Sequence, residues 1–214
     1  MPKAIVFDIG GVLIGLNMSR CIEAFRSTLG FERITELLDP YHQKGIYGEL
    51  EGGRLSEQHF KELVLAESRP GTKPQDVEYA MGELLDKKMD PRTVMAVKDL
   101  KGRYPLYLLS NNNPISMRHC LRILKDNGLD PDETFKGQFI SSDLKIMKPA
   151  PEFYRYVIQR IGLPPQEILF IDDNKANVDG ARAVGLDARL YNPGTDLGLL
   201  LSDCYECHST ATSA

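Results

Sequence analysis

Two apolar runs in this chain finish in carboxylates. Lys3-Ala4-Ile5-Val6-Phe7 leads into Asp8, and Ile168-Leu169-Phe170-Ile171 leads into Asp172-Asp173. In an open parallel sheet the C-terminal ends of the strands gather at one edge, and ligands bind there. Carboxylates meeting at such an edge repel one another unless a cation lies between them. Mg²⁺, a hard ion that prefers oxygen and usually works with phosphate, is the natural choice. Two further pairs fall at the same kind of boundary: Ser110-Asn111 after a short apolar run, and Lys148-Pro149 before a helical pattern.

The elements that must position these residues can be read from periodicity. The first strand covers about 3–8, and Gly10 and Gly11 allow a tight turn after it. From about 16 to 90 the pattern is helical throughout, with Cys21, Ile22, Phe25 and Leu29 at helical spacing. Ser56 caps a helix through Phe60, Leu63 and Val64, and Ala80, Leu84 and Leu85 suggest another after the Pro70–Pro74 break. Asp90-Pro91 starts a helix through Val94, Val97 and Leu100. Strands and helices then alternate. Strands are expected at 106–109, 139–140, 168–171 and 188–191, and helices at about 116–125, 151–161 and 176–184. Alternation of this kind argues for a parallel sheet with right-handed crossovers. The fold class is therefore α/β, a Rossmann-like parallel-sheet core with an α-helical cap inserted after the first strand. The core is expected at 1–15 and 91–200, the cap at 16–90, and a Ser/Thr-rich tail at 201–214.

Taken singly, Asp8 is an ordinary turn former, Lys148-Pro149 an ordinary solvated lysine before a helix, and Asp172-Asp173-Asn174 an ordinary helix cap. The order Asp8, Ser110-Asn111, Lys148-Pro149, Asp172-Asp173, with an early helical insertion, resembles the haloacid dehalogenase superfamily of phosphatases over about residues 3–195. The resemblance implies that Asp8 is the nucleophile, attacking phosphorus to form an aspartyl-phosphate. A carboxylate suits that task because it is already ionised near neutral pH. It implies Mg²⁺ held by Asp8, the main-chain carbonyl of Gly10, and the acidic pair, with Asp173 as the direct ligand and Asp172 either bridged through water or standing behind the ligands. Asn177, one turn along, would steady the ion's water shell. Ser110 and the main-chain N–H of Asn111 would hold a phosphate oxygen, and Lys148 would balance the charge, with Pro149 fixing its backbone approach.

One position departs from the pattern. The family's phosphatases usually place a second Asp two residues after the nucleophile, as acid and base; here that residue is Gly10. General acid–base help is worth about 10²–10⁴-fold. A subgroup with Gly at this position includes sugar-phosphate phosphatases, so a substitute acid is one expectation. Glu49 and Glu51 are the cap candidates, although a solvated turn before the Ser56 helix is the plainer reading of them. His42 is a further cap residue of note, more simply a surface or core histidine. The 2-haloacid dehalogenases also lack the second Asp, but they attack carbon without a metal and have no need of an acidic pair, so Asp172-Asp173 favours phosphoryl transfer. A catalytically weak phosphate-binding protein on the same fold is the other alternative.

Bulk properties set the remaining bounds. The chain has 214 residues, 42% of them hydrophobic, and a net charge of −4, which allows one domain with a large insertion. No basic stripe points to nucleic acid, and no apolar stretch approaches the roughly 20 residues of a membrane span. No leader is visible, so the expectation is a cytoplasmic protein, monomer or homodimer, acting on a small phosphorylated metabolite. Cys21, Cys120, Cys204 and Cys207 are expected as thiols. Cys204-Tyr205-Glu206-Cys207-His208 formally matches a haem attachment pattern, which in a frayed terminus without an export signal reads as a chance match.

Overall fold

The computed structural model describes residues 1–39 and 44–205. His42, Cys207 and His208 lie outside the described residues. Five strands, β1 (Ala4–Phe7), β2 (Leu106–Ser110), β3 (Gly137–Ile140), β4 (Ile168–Asp172) and β5 (Asp187–Leu190), form one parallel sheet in the order β3-β2-β1-β4-β5. The order runs outward from β1 on one side and resumes with β4 on the other. The switch point therefore lies between β1 and β4, where open sheets of this type bind ligands.

Among the described residues, five α-helices lie between β1 and β2 before the helix that starts at Pro91: α1 (Met18–Ala24), which runs on into a π-helical turn at Phe25–Leu29, α2 (Ile34–Leu37), α3 (Gly45–Glu51), α4 (Glu57–Ala66) and α5 (Pro74–Gly82). Then come α6 (Pro91–Lys101), α7 (Pro114–Asp126), α8 (Pro131–Thr134), α9 (Ser141–Leu144), α10 (Pro151–Ile161), α11 (Lys175–Ala183) and α12 (Leu197–Leu200). The capping chemistry is local. Asn17, Ser56, Asp90 and Asn113 each accept a backbone N–H from the first turn of the helix they open.

Strand residues alternate between two apolar clusters, as a pleat of period 2 requires. Ile5, Phe7, Leu106, Leu108, Leu169 and Ile171 face one cluster, and Val6, Leu109, Ile168, Phe170 and Ala188 the other. Burial on both faces explains why these strands read as continuous apolar runs. A third cluster belongs to the inserted helices, with Phe25, Leu29, Phe31, Tyr47, Phe60 and Val64 at its centre.

Three expectations need correction. The helix through Leu84 and Leu85 stops at Gly82; Leu85 instead bridges Leu16 where the chain returns to the sheet. Within the tail expected from residue 201, residues 201–205 pack on the core, with Leu201 and Cys204 buried in the first cluster and Tyr104 donating to the Cys204 carbonyl at 2.9 Å. Residues Glu49 to Glu51 are helical, in α3, rather than a solvated turn.

Candidate active site

The pairing of β1 with β4 sets Phe7 beside Ile171. One residue on, Asp8 and Asp172 stand at the same level of the sheet edge, and the Asp8 N–H donates to the Ile171 carbonyl at 2.9 Å. Asp173 is the first residue beyond β4, and Asn174 then caps α11 by accepting the Ala176 N–H at 2.8 Å. The helix so started brings Asn177 back over the edge, where its Nδ2 donates to both oxygens of Asp172 at 3.1 Å. Ser110 closes β2 and is buried. The Asn111 side chain clamps the backbone of Lys148, accepting its N–H at 2.8 Å and donating to its carbonyl at 2.9 Å. The Lys148–Pro149 peptide is cis.

Lys148 is the centre of the arrangement. Its side chain is 1% exposed. Its Nζ lies 3.0 Å from Asp8 Oδ2 and 2.7 Å from Asp172 Oδ2, donates to the Leu109 carbonyl at 3.0 Å, and sits 5.5 Å from the centre of the Phe170 ring. Burial alone would lower this ammonium's pKa; Asp172 and Asp8 more than offset that and hold it above the ordinary lysine range.

Asp8, Asp172 and Asp173 each bring one carboxylate oxygen to within 4.8 Å of the others. Burial, with Asp172 and Asp173 adding and Lys148 opposing, pushes Asp8 up to about 7. Burial and then Asp172 push Asp173 up to about 6, again against Lys148. One lysine does not balance three carboxylates, and hard oxygen donors so placed suit Mg²⁺. Asp172 is already engaged by Lys148, Asn177 and the Asn174 N–H at 2.8 Å. Asp173 is half-buried and approaches the Gly10-Gly11 turn closely. A Cβ on Gly11, whose φ is +76°, would lie 2.1 Å from Asp173 Oδ2, so this approach requires glycine. Among the described residues the buried Asn177 Oδ1 has no hydrogen-bond partner.

These groups surround a cavity of about 100 Å³. That is well below the roughly 300–1,000 Å³ of pockets that take drug-sized ligands. Asp8, Gly10, Ser110, Asn111, Lys148, Asp173 and Asn177, all singled out in the sequence, line it, while Asp172 stands behind them without lining it. The inserted helices add Tyr47 and Glu51 from α3. The Tyr47 hydroxyl is buried. Glu49 points elsewhere and pairs with Arg54 at 2.7 Å on the surface. The signal for Glu51 was available in the helical spacing: Tyr47 and Leu50 are inward residues three apart, and Glu51 follows Tyr47 by four.

A family signature described as haloacid dehalogenase-like hydrolase matches residues 2–185. The chain belongs to the haloacid dehalogenase-like hydrolases. Within this family it is 32% identical over 198 residues to the D-ribitol-5-phosphate phosphatase of Bacteroides thetaiotaomicron, covering 92% of this chain and 95% of the relative. The phosphorylated carbohydrates phosphatase of Thermotoga maritima is 23% identical over 197 residues, covering 88% and 84%. Among solved structures, a HAD family enzyme from Bacteroides thetaiotaomicron in complex with magnesium and inorganic phosphate superposes with a TM-score of 0.82 at 27% identity, covering 94% of this chain and 99% of that one. This is a HAD-like hydrolase with phosphatases among its relatives. No helix among the described residues is long and apolar enough to cross a membrane.

Proposed function

We propose that this protein is a Mg²⁺-dependent phosphatase of small phosphorylated polyols or sugars that works through an aspartyl-phosphate on Asp8. The observation that carries the reading is a cluster of three carboxylates, two of them paired with one buried lysine, beside the Ser110 hydroxyl at a small cavity. The full-length similarity to a D-ribitol-5-phosphate phosphatase supports the substrate class.

Asp8, the Gly10 carbonyl and Asp173 would hold the ion, with Asp172 kept behind them by Lys148 and Asn177. When bound, Mg²⁺ would neutralise phosphoryl oxygens that Asp8 would otherwise repel. The residues of the chain do the rest. The Ile9 N–H, donating to Asp8 Oδ1 at 2.7 Å, orients that carboxylate so that Asp8 attacks phosphorus in line. Lys148 offsets the charge of the phosphoryl group and of Asp8 together. Ser110 and the Asn111 N–H position one phosphoryl oxygen, a preorganised contact that costs little reorganisation as charge develops. The inserted helices act as a cap over the edge and exclude bulk water from the acyl-phosphate.

The test is phosphate release from sugar and alditol phosphates, nucleotides and p-nitrophenyl phosphate, with Mg²⁺ and with EDTA, beside Asp8→Asn. Release is expected with Mg²⁺ only, on small polyol or sugar phosphates above nucleotides, and lost in the variant. Release that persists in Asp8→Asn would end the nucleophile assignment. No release from any compound would end the phosphatase reading, and halide release from 2-haloacids would replace it.

A further inference from the structure

Gly10 leaves the reaction without its usual acid, yet the leaving oxygen of an alkyl phosphate needs a proton. We propose that Glu51, at the C-terminal end of α3, donates that proton and then activates the hydrolytic water. This inference rests on the phosphatase reading above and names the group that completes it.

Glu51 lines the same cavity as Asp8, Ser110 and Lys148. Its place there is fixed by the backbone rather than by its side chain. The Ser141 hydroxyl, at the start of α9, donates to the Glu51 carbonyl at 2.6 Å and accepts the Asn112 N–H at 2.9 Å, which ties the end of α3 to the ends of β2 and β3. Two residues on, Gly53 has a φ of +66° and runs so close to the sheet that a Cβ there would lie 2.1 Å from the Ser142 carbonyl oxygen. The inserted helix is thus anchored to the catalytic edge at the residue in question. The charges that act on the Glu51 carboxyl from the described residues are those of Asp8 and Lys148, whereas Glu49 is paired with Arg54 on the surface. Glu51 therefore faces the cavity that a ligand would enter.

The other titratable side chains of the cavity are Asp8, Tyr47, Cys120, Lys148 and Asp173. Asp8 is the nucleophile, Lys148 is held by two carboxylates, and Asp173 belongs to the acidic cluster. Burial raises the Cys120 thiol to about 12 and the Tyr47 phenol well above its ordinary value, so neither is a ready acid near neutrality. Glu51 remains. Burial, reinforced by Asp8 and opposed by Lys148, raises it to about 8, so it carries a proton at neutral pH as a general acid must.

The step balances. The Asp8 oxygen bonds to phosphorus as the P–O ester bond breaks, and the Glu51 proton goes to the departing oxygen, giving the alcohol. The Glu51 carboxylate then takes a proton from water. The water oxygen bonds to phosphorus, the Asp8–phosphorus bond breaks, and phosphate leaves with Glu51 protonated again.

The experiment is Glu51→Gln, assayed on an alditol phosphate and on p-nitrophenyl phosphate with Mg²⁺. The alkyl leaving group needs a proton; nitrophenolate departs as a stable anion. Turnover of the alditol phosphate should fall about 10²-fold or more. On p-nitrophenyl phosphate the variant should release one equivalent of nitrophenolate per protein at the wild-type rate and then stall. Phosphate should remain on Asp8, visible as added mass on the intact chain. Gly10→Asp in the same background should recover turnover, since the atoms nearest a Cβ there belong to the flexible Leu16 side chain, the first at 3.3 Å. Alditol phosphate turnover within about threefold of wild type would overturn the proposal while leaving the phosphatase reading intact. Equal loss on both substrates, burst included, would mark a structural role and overturn it too. An inactive wild type would remove both readings together.

Discussion

Asp8 should make the metal-free protein less stable than it would be with an amide in its place. Unfolded, Asp8 ionises near 3.8; folded, it holds its proton to about 7, chiefly because it is buried. Between those values the folded state binds more protons than the unfolded one, so stability falls as pH rises. The cost is absent below pH 4 and complete above pH 7. The gap of roughly three pH units, at 1.36 kcal/mol each, sets it at about 4 kcal/mol. The opposing pull of Lys148 at 3.0 Å is already contained in that value. In Asp8→Asn the amide oxygen can still accept the Ile9 N–H, while the buried amide nitrogen faces the Lys148 cation and costs about 1–3 kcal/mol. The net expectation is a gain of about 2 kcal/mol, or about 4–8 °C in Tm for a chain of this length. Thermal unfolding in EDTA measures it: Asp8→Asn should exceed wild type at pH 8, and the gain should disappear at pH 4. Mg²⁺ at pH 8 should raise wild type and not the variant, narrowing or reversing the order. A variant as stable as wild type or less so in EDTA at pH 8 would refute the account of the site as a cluster of under-compensated carboxylates.

Two more outcomes follow from the same geometry. Gly11→Ala places a Cβ against Asp173 and forces a positive φ on a residue with a side chain; it should lose about 1–2 kcal/mol from the backbone and, beyond that, the rise in Tm on adding Mg²⁺, whereas a full Mg²⁺ response would place the ion elsewhere. Arg118 on α7 makes two 2.7 Å bonds to Glu57 on α4, and these, against burial and with help from Lys61, hold Glu57 down to about 2. The pair therefore stabilises above the ordinary carboxylate range near 4.5 and is lost as pH falls toward 2. With Arg118 half-exposed, Arg118→Ala should cost about 1 kcal/mol at pH 7 and progressively less in unfolding experiments below pH 4. An undiminished difference at pH 2 would mean that packing, not charge, carries it.

Much of this was legible because it is written locally. Asp8 follows a four-residue apolar strand, Ser56 and Asp90 cap the helices they precede, and Gly162, in the left-handed conformation, ends α10 at Ile161. The acidic pair was readable for the same reason, since a parallel strand buried on both faces has only its ends for polar work. What was not legible depended on tertiary contact. α3 is seven residues long and its first residue is glycine, so its propensity is weak and packing of Tyr47 and Leu50 decides that it forms. The distinct settings of Asp172 and Asp173, one engaged by Lys148 and Asn177 and one beside the Gly11 turn, depend on a lysine 24 residues from the strand end. No spacing rule reports that. Cys204 is tied to the core by Tyr104, a hundred positions earlier, and Leu201 is buried in the same cluster.

The strand order has a consequence for how the protein is made. β1 leaves the ribosome first of the five strands, yet both of its neighbours come much later, β2 after the inserted helices and β4 after most of the chain. At about 5–20 residues per second, β4 follows β1 by roughly 10–30 s. Through that interval Ala4–Phe7 is an apolar segment with an open edge, and the inserted helices, whose contacts are mostly among themselves, can pack before it does. Pairing of β1 with β4 is the most distant contact of the sheet and the slowest kind to close. It is also the event that drives Asp8 against Asp172. Repulsion at the catalytic edge therefore opposes this pairing and not those of β2 with β1 or β3.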